Sequence, residues 1–171
     1  GGAVAGRKEI LDELDFKAAA QRGREKIAHP GTYNGNPVSA AAGIAALTVI
    51  GSTDACAKAN AFAADLRRAL NEVIVAENAP FAFYGTFSGF HLFMNPKRRK
   101  IDPLAFDPLA LPFAELKDGD KALVQKLRLA LLVQGIDFSG RLGGMTSATH
   151  GKAELDRTVD AFRAALRMLR A

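Results

Sequence analysis

The sequence predicts an α/β or α+β fold in which three helices precede a β-rich stretch, a fourth helix, a short strand and a last helix. Segments with apolar residues at spacings of three and four surround one aromatic stretch that glycines interrupt. Nearly half of the 171 residues are apolar and 24% are charged, which is typical of a globular chain with a sizeable core. No apolar run approaches the roughly 18 residues that a membrane span requires.

The first two helices differ in how well the sequence defines them. Apolar positions are irregular near Arg7–Arg24, so this segment is the weakest helix prediction. The second helix is expected to start with Asn36 as N-cap and Pro37 in the first helical position. It is rich in alanine, which permits close packing against a neighbour, and Gly51 is expected to end it.

The third helix is predicted to start at Ser52 or Thr53, and the strands follow it. The spacing of three and four predicts one buried helix face, made of Ala55, Ala59, Phe62, Leu66, Ala69 and Val73. From Phe81 to Met94 the aromatic and aliphatic run predicts two strands. Gly85 and Gly89 interrupt this run and indicate a tight bend or a close backbone approach.

A long connection and the fourth helix come next. Four prolines between Asn95 and Gly119 predict an irregular connection. Asp118 or Asp120 is expected to cap the fourth helix, which stops at Gly135 and buries Leu123, Leu127 and Leu131.

The last third ends in an extended piece and a helix. The extended piece is predicted around Ile136–Thr149, with Gly151 as the cap of the last helix and Glu154 at its third position. Its apolar stripe consists of Leu155, Val159, Phe162, Leu166 and Leu169.

The charge and cysteine content bear on the partners and the compartment of the protein. The net charge of +5 invites a nucleic-acid interpretation. However, the Lys97–Lys100 run lies among prolines without interleaved aromatics, which favours a solvated loop and no nucleic-acid partner. Cys56 cannot form an internal disulfide and fits a reducing compartment. The three histidines lack metal-ligand spacing, so no metal site is predicted.

The sequence HPGTYNGNP, residues 29–37, carries the clearest chemical pattern. Gly31 and Gly35 permit tight turns, and Thr32 offers a hydroxyl next to backbone N–H groups just before a helix N-terminus. Such a place favours anions, because unpaired N–H groups and the helix dipole both attract negative charge. On these grounds alone an ordinary helix-capping loop remains the favoured alternative to a phosphate site.

Four segments, in this order along the chain, carry a family resemblance. GTYNGNP before an alanine-rich helix resembles the GT-x-x-GNP segment of the class III aminotransferases, which are pyridoxal-phosphate enzymes of fold type I. GGAVAGRKEIL resembles the stretch after their cofactor-binding lysine, and FYGTFSGFHLFM resembles their small-domain strand pair. TSATHGKAELDRTVDAF resembles the end of the glutamate-1-semialdehyde aminomutase branch.

The resemblance implies a fold, a cofactor and a partner. The fold is expected to be the C-terminal part of such a transferase, with residues 1–51 ending the large domain and 52–171 forming an α+β small domain. Gly31 and Thr32 are expected to bind the phosphate of pyridoxal 5'-phosphate held mainly by the other subunit of a cytoplasmic homodimer. The chain is expected to open inside a domain. Because GGAVAGRKEIL resembles the stretch after the cofactor-binding lysine, the Schiff-base lysine is expected upstream of Gly1, leaving no catalytic residue in this chain.

The family's substrate-binding residues are not all matched. Many of these transaminases have a carboxylate-binding arginine where this chain has Gly144–Ser147, and the aminomutase branch has a glutamate at the position of Leu142. Arg141, in a glycine-flanked segment predicted to be extended, is a candidate for binding a substrate carboxylate. An extended backbone would point it the same way as Gly143 and opposite to Leu142. A solvated strand-end arginine remains the alternative.

The resemblance therefore implies part of an aminotransferase or aminomutase that moves an amino group between or within small amino, keto or aldehyde substrates. A non-catalytic interaction or scaffold module derived from the small domain is the alternative. A lysine shortly before Gly1 would favour the enzyme, and its absence would favour the module.

Overall fold

In the computed structural model, which describes residues 4–170, the chain divides into two compact units. The first ends at Thr53 and the second begins at Asp54. This division lies two residues after the predicted domain boundary, and the assignment of the units to a large and a small domain stays a prediction. Residues 1–3 of the segment GGAVAGRKEIL lie outside the described residues.

Short helices and one long helix make up the first unit: α1 (Lys8–Leu11), a 3-10 turn (Asp12–Leu14), α2 (Phe16–Gln21) and α3 (Pro37–Ser52). The irregular apolar pattern of residues 7–24 thus produces two short helices in place of one. The Asp15 side chain caps α2 by accepting hydrogen bonds from the backbone N–H groups of Lys17 and Ala18.

The predicted start of α3 is confirmed, and its predicted end is wrong by two residues. The Asn36 side chain accepts a hydrogen bond from the N–H of Ser39 at 3.0 Å, and Pro37 occupies the first turn. Gly51 lies inside the helix, which ends at Ser52. Hydroxyls in this last turn bond back to helix carbonyls, as Ser52 does to Thr48 at 2.7 Å.

The second unit contains four helices and three strands. They are α4 (Ala55–Ala76), β1 (Ala82–Tyr84), β2 (Gly89–Phe93), α5 (Phe113–Lys117), α6 (Lys121–Val133), β3 (Gly143–Met145) and α7 (Lys152–Met168). Two 3-10 turns, Pro103–Ala105 and Pro108–Ala110, interrupt the connection between β2 and α5. Short α5 was not predicted, because the surrounding prolines indicated only irregular structure.

Capping contacts define the starts of α6 and α7 in this unit. Asp120 caps α6 through the N–H groups of Ala122 and Leu123, as one of the two predicted caps. The predicted capping box at α7 is confirmed, since Glu154 accepts a hydrogen bond from the N–H of Gly151 at 2.8 Å. The predicted start of α4 at residue 52 or 53 is wrong, because Asp54 occupies the N-cap position.

The three strands form one antiparallel sheet in the order β1-β2-β3. Phe83 pairs with Leu92 across the first ladder, and Phe90 pairs with Gly144 across the second. Gly85, with φ of +149°, lets the chain turn between β1 and β2, where an added Cβ would come 2.4 Å from the Gly89 carbonyl oxygen. The sequence prediction of a glycine-dependent hairpin is therefore confirmed.

An aromatic cluster fills the core between the sheet and the helices of this unit. Phe83 makes edge-to-face contacts with Phe138 and Phe162, and Phe90 makes one with Phe138 at 5.0 Å between ring centroids. Phe162 of α7 is fully buried. Such pairs stabilise the fold by about 0.5–1.5 kcal/mol beyond the area they bury, so the cluster defines how α7 packs on the sheet.

Two buried carboxylates hold long-range ion pairs. Glu77, after α4, binds Arg167 at 2.7 Å and Arg170 at 3.3 Å from the end of α7. Glu115 of α5 is 2% exposed and binds both Arg99 and Lys97 of the proline-rich connection. These cations hold the pKa of Glu115 at about 2, well below its usual range, with the Arg99 hydrogen bond as the largest cause.

The helices of residues 4–170 include no single one that is long and apolar enough to cross a membrane. Only α3 and α4 counted together reach the required length and hydropathy.

Candidate functional site

Two consecutive turns shape the loop before α3. The Gly31 carbonyl accepts a hydrogen bond from the N–H of Asn34 at 3.0 Å, and the Tyr33 carbonyl accepts one from the N–H of Asn36 at 3.2 Å. The Asn34 side chain also donates to the His29 carbonyl at 3.1 Å. A Cβ on Gly31 would meet the Asn34 side chain at 2.6 Å and would force it off His29.

This loop exposes an unused donor group beside a helix N-terminus. Thr32 is exposed, and within residues 4–170 no hydrogen bond engages its hydroxyl. Asn36 satisfies one N–H of the first turn of α3, while the helix dipole still attracts negative charge to this end. The loop therefore places a tight turn, a hydroxyl without a hydrogen bond in the described residues and a helix start next to one another.

Helix α3 displays apolar side chains that its own unit does not cover. Within the described part of the first unit it buries none of its residues. Its exposed side chains include large apolar ones, which are 47–76% accessible: Val38, Ile44, Leu47, Val49 and Ile50. A helix that is apolar on all sides normally belongs to an interior.

The backbone around Arg141 differs from the expected extended form. Arg141 lies in a turn, closed by a hydrogen bond from the Leu142 N–H to the Ser139 carbonyl at 2.8 Å. Leu142 has φ of +55° and is almost fully buried, and Gly143 is buried too. The predicted shared direction of Arg141 and Gly143 is therefore wrong, because a left-handed residue between them breaks the strand alternation.

Arg141 is exposed and lines a wide groove of the second unit. The groove has a volume of about 1520 Å³, and Arg67, Tyr84, His91 and Arg128 also line it. Within residues 4–170 no ion pair or hydrogen bond holds the Arg141 guanidinium. It is free to bind a carboxylate in a bidentate manner.

Sequence reasoning missed Arg67 and Arg128 as groove residues. Arg67 donates to the carbonyls of Phe87 at 3.2 Å and Gly89 at 2.6 Å, and burial lowers the pKa of its guanidinium. Arg128 donates to the Phe138 carbonyl at 3.2 Å. Both residues lie on helix faces outside the apolar stripe. The sequence pattern of each helix alone therefore predicts that they face solvent.

The described residues contain no cluster of three or more His, Cys, Asp or Glu side chains that could hold a metal ion. Thr32 lies in the first unit and Arg141 in the second.

The sequence of this chain is similar to those of known aminomutases. No family model matches the sequence. A glutamate-1-semialdehyde 2,1-aminomutase from Methanothrix thermoacetophila is 30% identical over 95% of this chain and 34% of its own length. One from Legionella pneumophila strain Corby is 28% identical over 99% of this chain and 36% of its own length.

Solved structures agree with these relatives. An omega-transaminase from Sphaerobacter thermophilus matches with a TM-score of 0.69 and 28% identity, over 98% of this chain and 35% of its own. A β-phenylalanine aminotransferase from Variovorax paradoxus matches with a TM-score of 0.64 and 25% identity, over 92% of this chain and 33% of its own. Over nearly its whole length the chain is therefore similar in sequence and fold to aminotransferases and aminomutases.

The predicted resemblance and the predicted fold class are thereby confirmed. The chain spans about a third of the length of the curated relatives it matches. A further structure, described as a transaminase with PLP bound, shares the fold with a TM-score of 0.73 at 23% identity.

Proposed function

We propose that this chain forms part of a class III aminotransferase or aminomutase that uses pyridoxal 5'-phosphate. The protein moves an amino group between or within small amino, keto or aldehyde substrates. The loop before α3 carries this proposal, since Gly31, the free Thr32 hydroxyl and the helix start occur in a chain related to aminomutases over nearly its whole length. When bound, the cofactor supplies the electron-withdrawing ring that amino transfer needs.

Gly31 and Thr32 bind the cofactor phosphate in this proposal. Thr32 donates its hydroxyl, and the turn at Gly31 lets the backbone approach the phosphate closely. The dipole of α3 adds attraction for the same charge. These groups position the cofactor and take no part in proton transfer.

Arg141 binds the substrate carboxylate in this proposal. Its exposed guanidinium has no competing partner within residues 4–170, and its planar fork matches a carboxylate. The turn at Leu142 directs it into the groove of the second unit. Arg141 thus orients the substrate and leaves the chemistry to other groups.

The protein acts as a homodimer in this proposal, with residues Gly31–Ile50 at the subunit contact. The exposed apolar side chains of α3 support this arrangement, because covering them removes large apolar area from water. A cytoplasmic location is also proposed, and the free Cys56 supports a reducing compartment.

The phosphate assignment is tested by Thr32→Ala in the full-length protein, with cofactor affinity measured by fluorescence titration. A hydrogen bond to a charged group contributes about 1.5–3 kcal/mol, so affinity is expected to fall roughly 10- to 100-fold. Thr32→Ser is expected to retain most of the affinity, because it keeps the hydroxyl.

Thr149→Ala provides the matched control. The Thr149 hydroxyl lies outside residues Gly31–Ile50 and hydrogen-bonds to the Ser147 hydroxyl at 3.1 Å, so its loss is expected to leave cofactor affinity unchanged. Equal affinity of Thr32→Ala and the unmodified protein would refute the phosphate role of Thr32.

A further inference from the structure

Three residues that pair across the sheet lie in one row. Tyr84 of β1 pairs with His91 of β2, and His91 pairs with Gly143 of β3. Residues directly opposite each other on neighbouring strands point to the same face of a sheet. The core residues Phe83 and Phe90 precede Tyr84 and His91 in the chain, and therefore lie on the other face. The row consequently faces away from the aromatic core.

Ring contacts hold Tyr84 in the wall of the groove that contains Arg141. The centroid of the Tyr84 ring lies 5.6 Å from that of His91 and 5.9 Å from that of Phe106, in the connection between β2 and α5. Phe106 in turn stacks on Phe93, at 5.0 Å between ring centroids. Because these contacts restrict the Tyr84 ring, its hydroxyl has a defined place in the groove lining.

The row ends in two polar groups, the Tyr84 hydroxyl and the His91 imidazole. In the part of the chain that the structure describes, neither group forms a hydrogen bond or an ion pair. Burial raises the pKa of the Tyr84 phenol, so the hydroxyl keeps its proton and can donate it to an acceptor. An imidazole offers at least one N–H donor, whether neutral or protonated. Tyr84 and His91, here called the donor pair, therefore present hydrogen-bond donors to the groove.

Gly143 allows the His91 ring to lie close against β3. A Cβ at Gly143 would come 2.9 Å from His91 Nδ1 and 2.6 Å from the Phe90 carbonyl oxygen. A side chain at this position would displace the imidazole. The glycine thus brings the donor pair next to the segment that carries Arg141, two residues earlier, and all three side chains line the same groove.

We propose that the donor pair determines substrate specificity by binding a second oxygen atom of the substrate, while Arg141 binds the carboxylate. The favoured substrates are amino or keto acids that carry a hydrogen-bond-accepting oxygen, such as a carbonyl, beyond that carboxylate. A substrate with an apolar group in this place leaves the donors that it covers unpaired, which is the physical basis for rejecting it. This inference rests on the proposed role of Arg141, because it takes the groove as the substrate site.

The test measures the binding of simple carboxylic acids to the full-length protein loaded with pyridoxal 5'-phosphate, by isothermal titration calorimetry. The probes are straight-chain acids of five, six and seven carbon atoms with a ketone next to the terminal methyl group. Each is compared with the unsubstituted acid of the same length, and the series varies the separation between carboxylate and ketone. At least one oxo acid is expected to bind roughly tenfold more tightly than its unsubstituted counterpart, because a carbonyl oxygen can accept from both donors.

Conservative variants assign this preference to the donor pair. Tyr84→Phe removes the hydroxyl and keeps the ring, and His91→Phe keeps a ring without the donor. Each is expected to lower the oxo-acid preference roughly threefold and to leave the affinity for unsubstituted acids unchanged. His91→Gln retains an N–H donor and is expected to keep most of the preference. His150→Phe is the matched control, because His150 is exposed and lies outside this groove.

The outcomes separate this inference from the proposed function. Arg141→Lys is expected to weaken the binding of oxo acids and unsubstituted acids alike, because both carry the carboxylate and lysine lacks the planar fork. If Arg141→Lys has this effect while Tyr84→Phe and His91→Phe keep the preference of the unmodified protein, the proposal for the donor pair is overturned and the role of Arg141 stands. Absence of any oxo-acid preference in the unmodified protein, or an equal loss of preference in His150→Phe, would overturn it as well.

Discussion

The two units of the chain bury their apolar residues to very different extents. In the second unit Phe83, Phe90, Phe138 and Phe162 pack in one core with α4, α6 and α7. In the described part of the first unit Ala19 is the only buried apolar residue, although α3 is the more uniformly apolar helix. The second unit therefore contains the contacts that stabilise it, whereas α3 needs a covering surface from elsewhere.

The largest expected effect follows directly from this contrast. Phe162→Ala removes a fully buried ring of the second unit and is expected to lower the free energy of unfolding by about 3–5 kcal/mol. Leu47→Ala, on exposed α3, is expected to change it by no more than about 0.5 kcal/mol in the 171-residue chain. Urea denaturation measures both.

A milder core variant keeps this test informative. Phe162→Leu retains most of the apolar volume and is expected to cost less than Phe162→Ala, so the order of the two can be measured even if the alanine variant fails to fold. Equal losses for Phe162→Ala and Leu47→Ala would contradict the contrast between the units.

The next effect concerns a buried polar contact of the second unit. The Asn71 side chain donates to the Phe83 carbonyl at 2.9 Å and accepts from the Phe83 N–H at 2.7 Å. Asn71→Ala leaves both backbone groups without partners, at a cost of about 1–3 kcal/mol for each group. Thermal denaturation should show this loss for Asn71→Ala and almost none for Asn60→Ala, which lies on the same helix.

How far the sequence predicts such features depends on whether their causes are local. The Asn36 cap, the capping box of α7 and the glycine-dependent hairpin are predictable, because each depends on residues a few positions apart. The pairing of Asn71 with Phe83 joins residues twelve positions apart, and no local pattern indicates it.

The candidate site also combines features with local causes and features that depend on long-range packing. The loop around Thr32 is recognisable from a short motif, and its turns are local. The direction of Arg141 was mispredicted, because burial of Leu142 in the core holds that residue at a positive φ that its own sequence does not favour. Arg67 of α4 and Arg128 of α6 line the same groove because both helices pack against α7 in the second unit, which no local pattern indicates.

A third prediction concerns what covers α3. Ala41→Arg in the full-length protein places a long charged side chain on the surface proposed for dimerisation, and the dimer dissociation constant is expected to rise at least about tenfold. Sedimentation measures this change. Ala64→Arg, on an exposed position of α4, is the matched control, and an unchanged dimer in both variants would place the subunit contact elsewhere.

The smallest effect is a pH dependence inside the second unit. The pKa of Glu115 is held at about 2, below its ordinary value of 4.5, first by the Arg99 hydrogen bond. A lowered folded-state pKa contributes stability above pH 4.5, and this contribution is lost as the pH falls from 4.5 towards 2. Glu115→Gln is therefore expected to be less stable near neutral pH and to lose less stability over this range.

Urea midpoints at roughly pH 6 and roughly pH 3 measure the difference. Glu72→Gln, at an exposed position of α4, is expected to keep the pH dependence of the unmodified chain. An identical pH dependence of Glu115→Gln and the unmodified chain would show that the Arg99 and Lys97 contacts do not stabilise the fold.

The contact between Asn71 and Phe83 has a consequence for self-association. β1 is an outer strand of the sheet, and Phe83 turns both of its backbone groups away from β2 towards α4. An outer strand with free backbone groups is a template for a strand from another molecule, which is a common start of aggregation. By occupying both groups, a single amide of α4 stands in for the missing neighbour strand and blocks edge-to-edge pairing there.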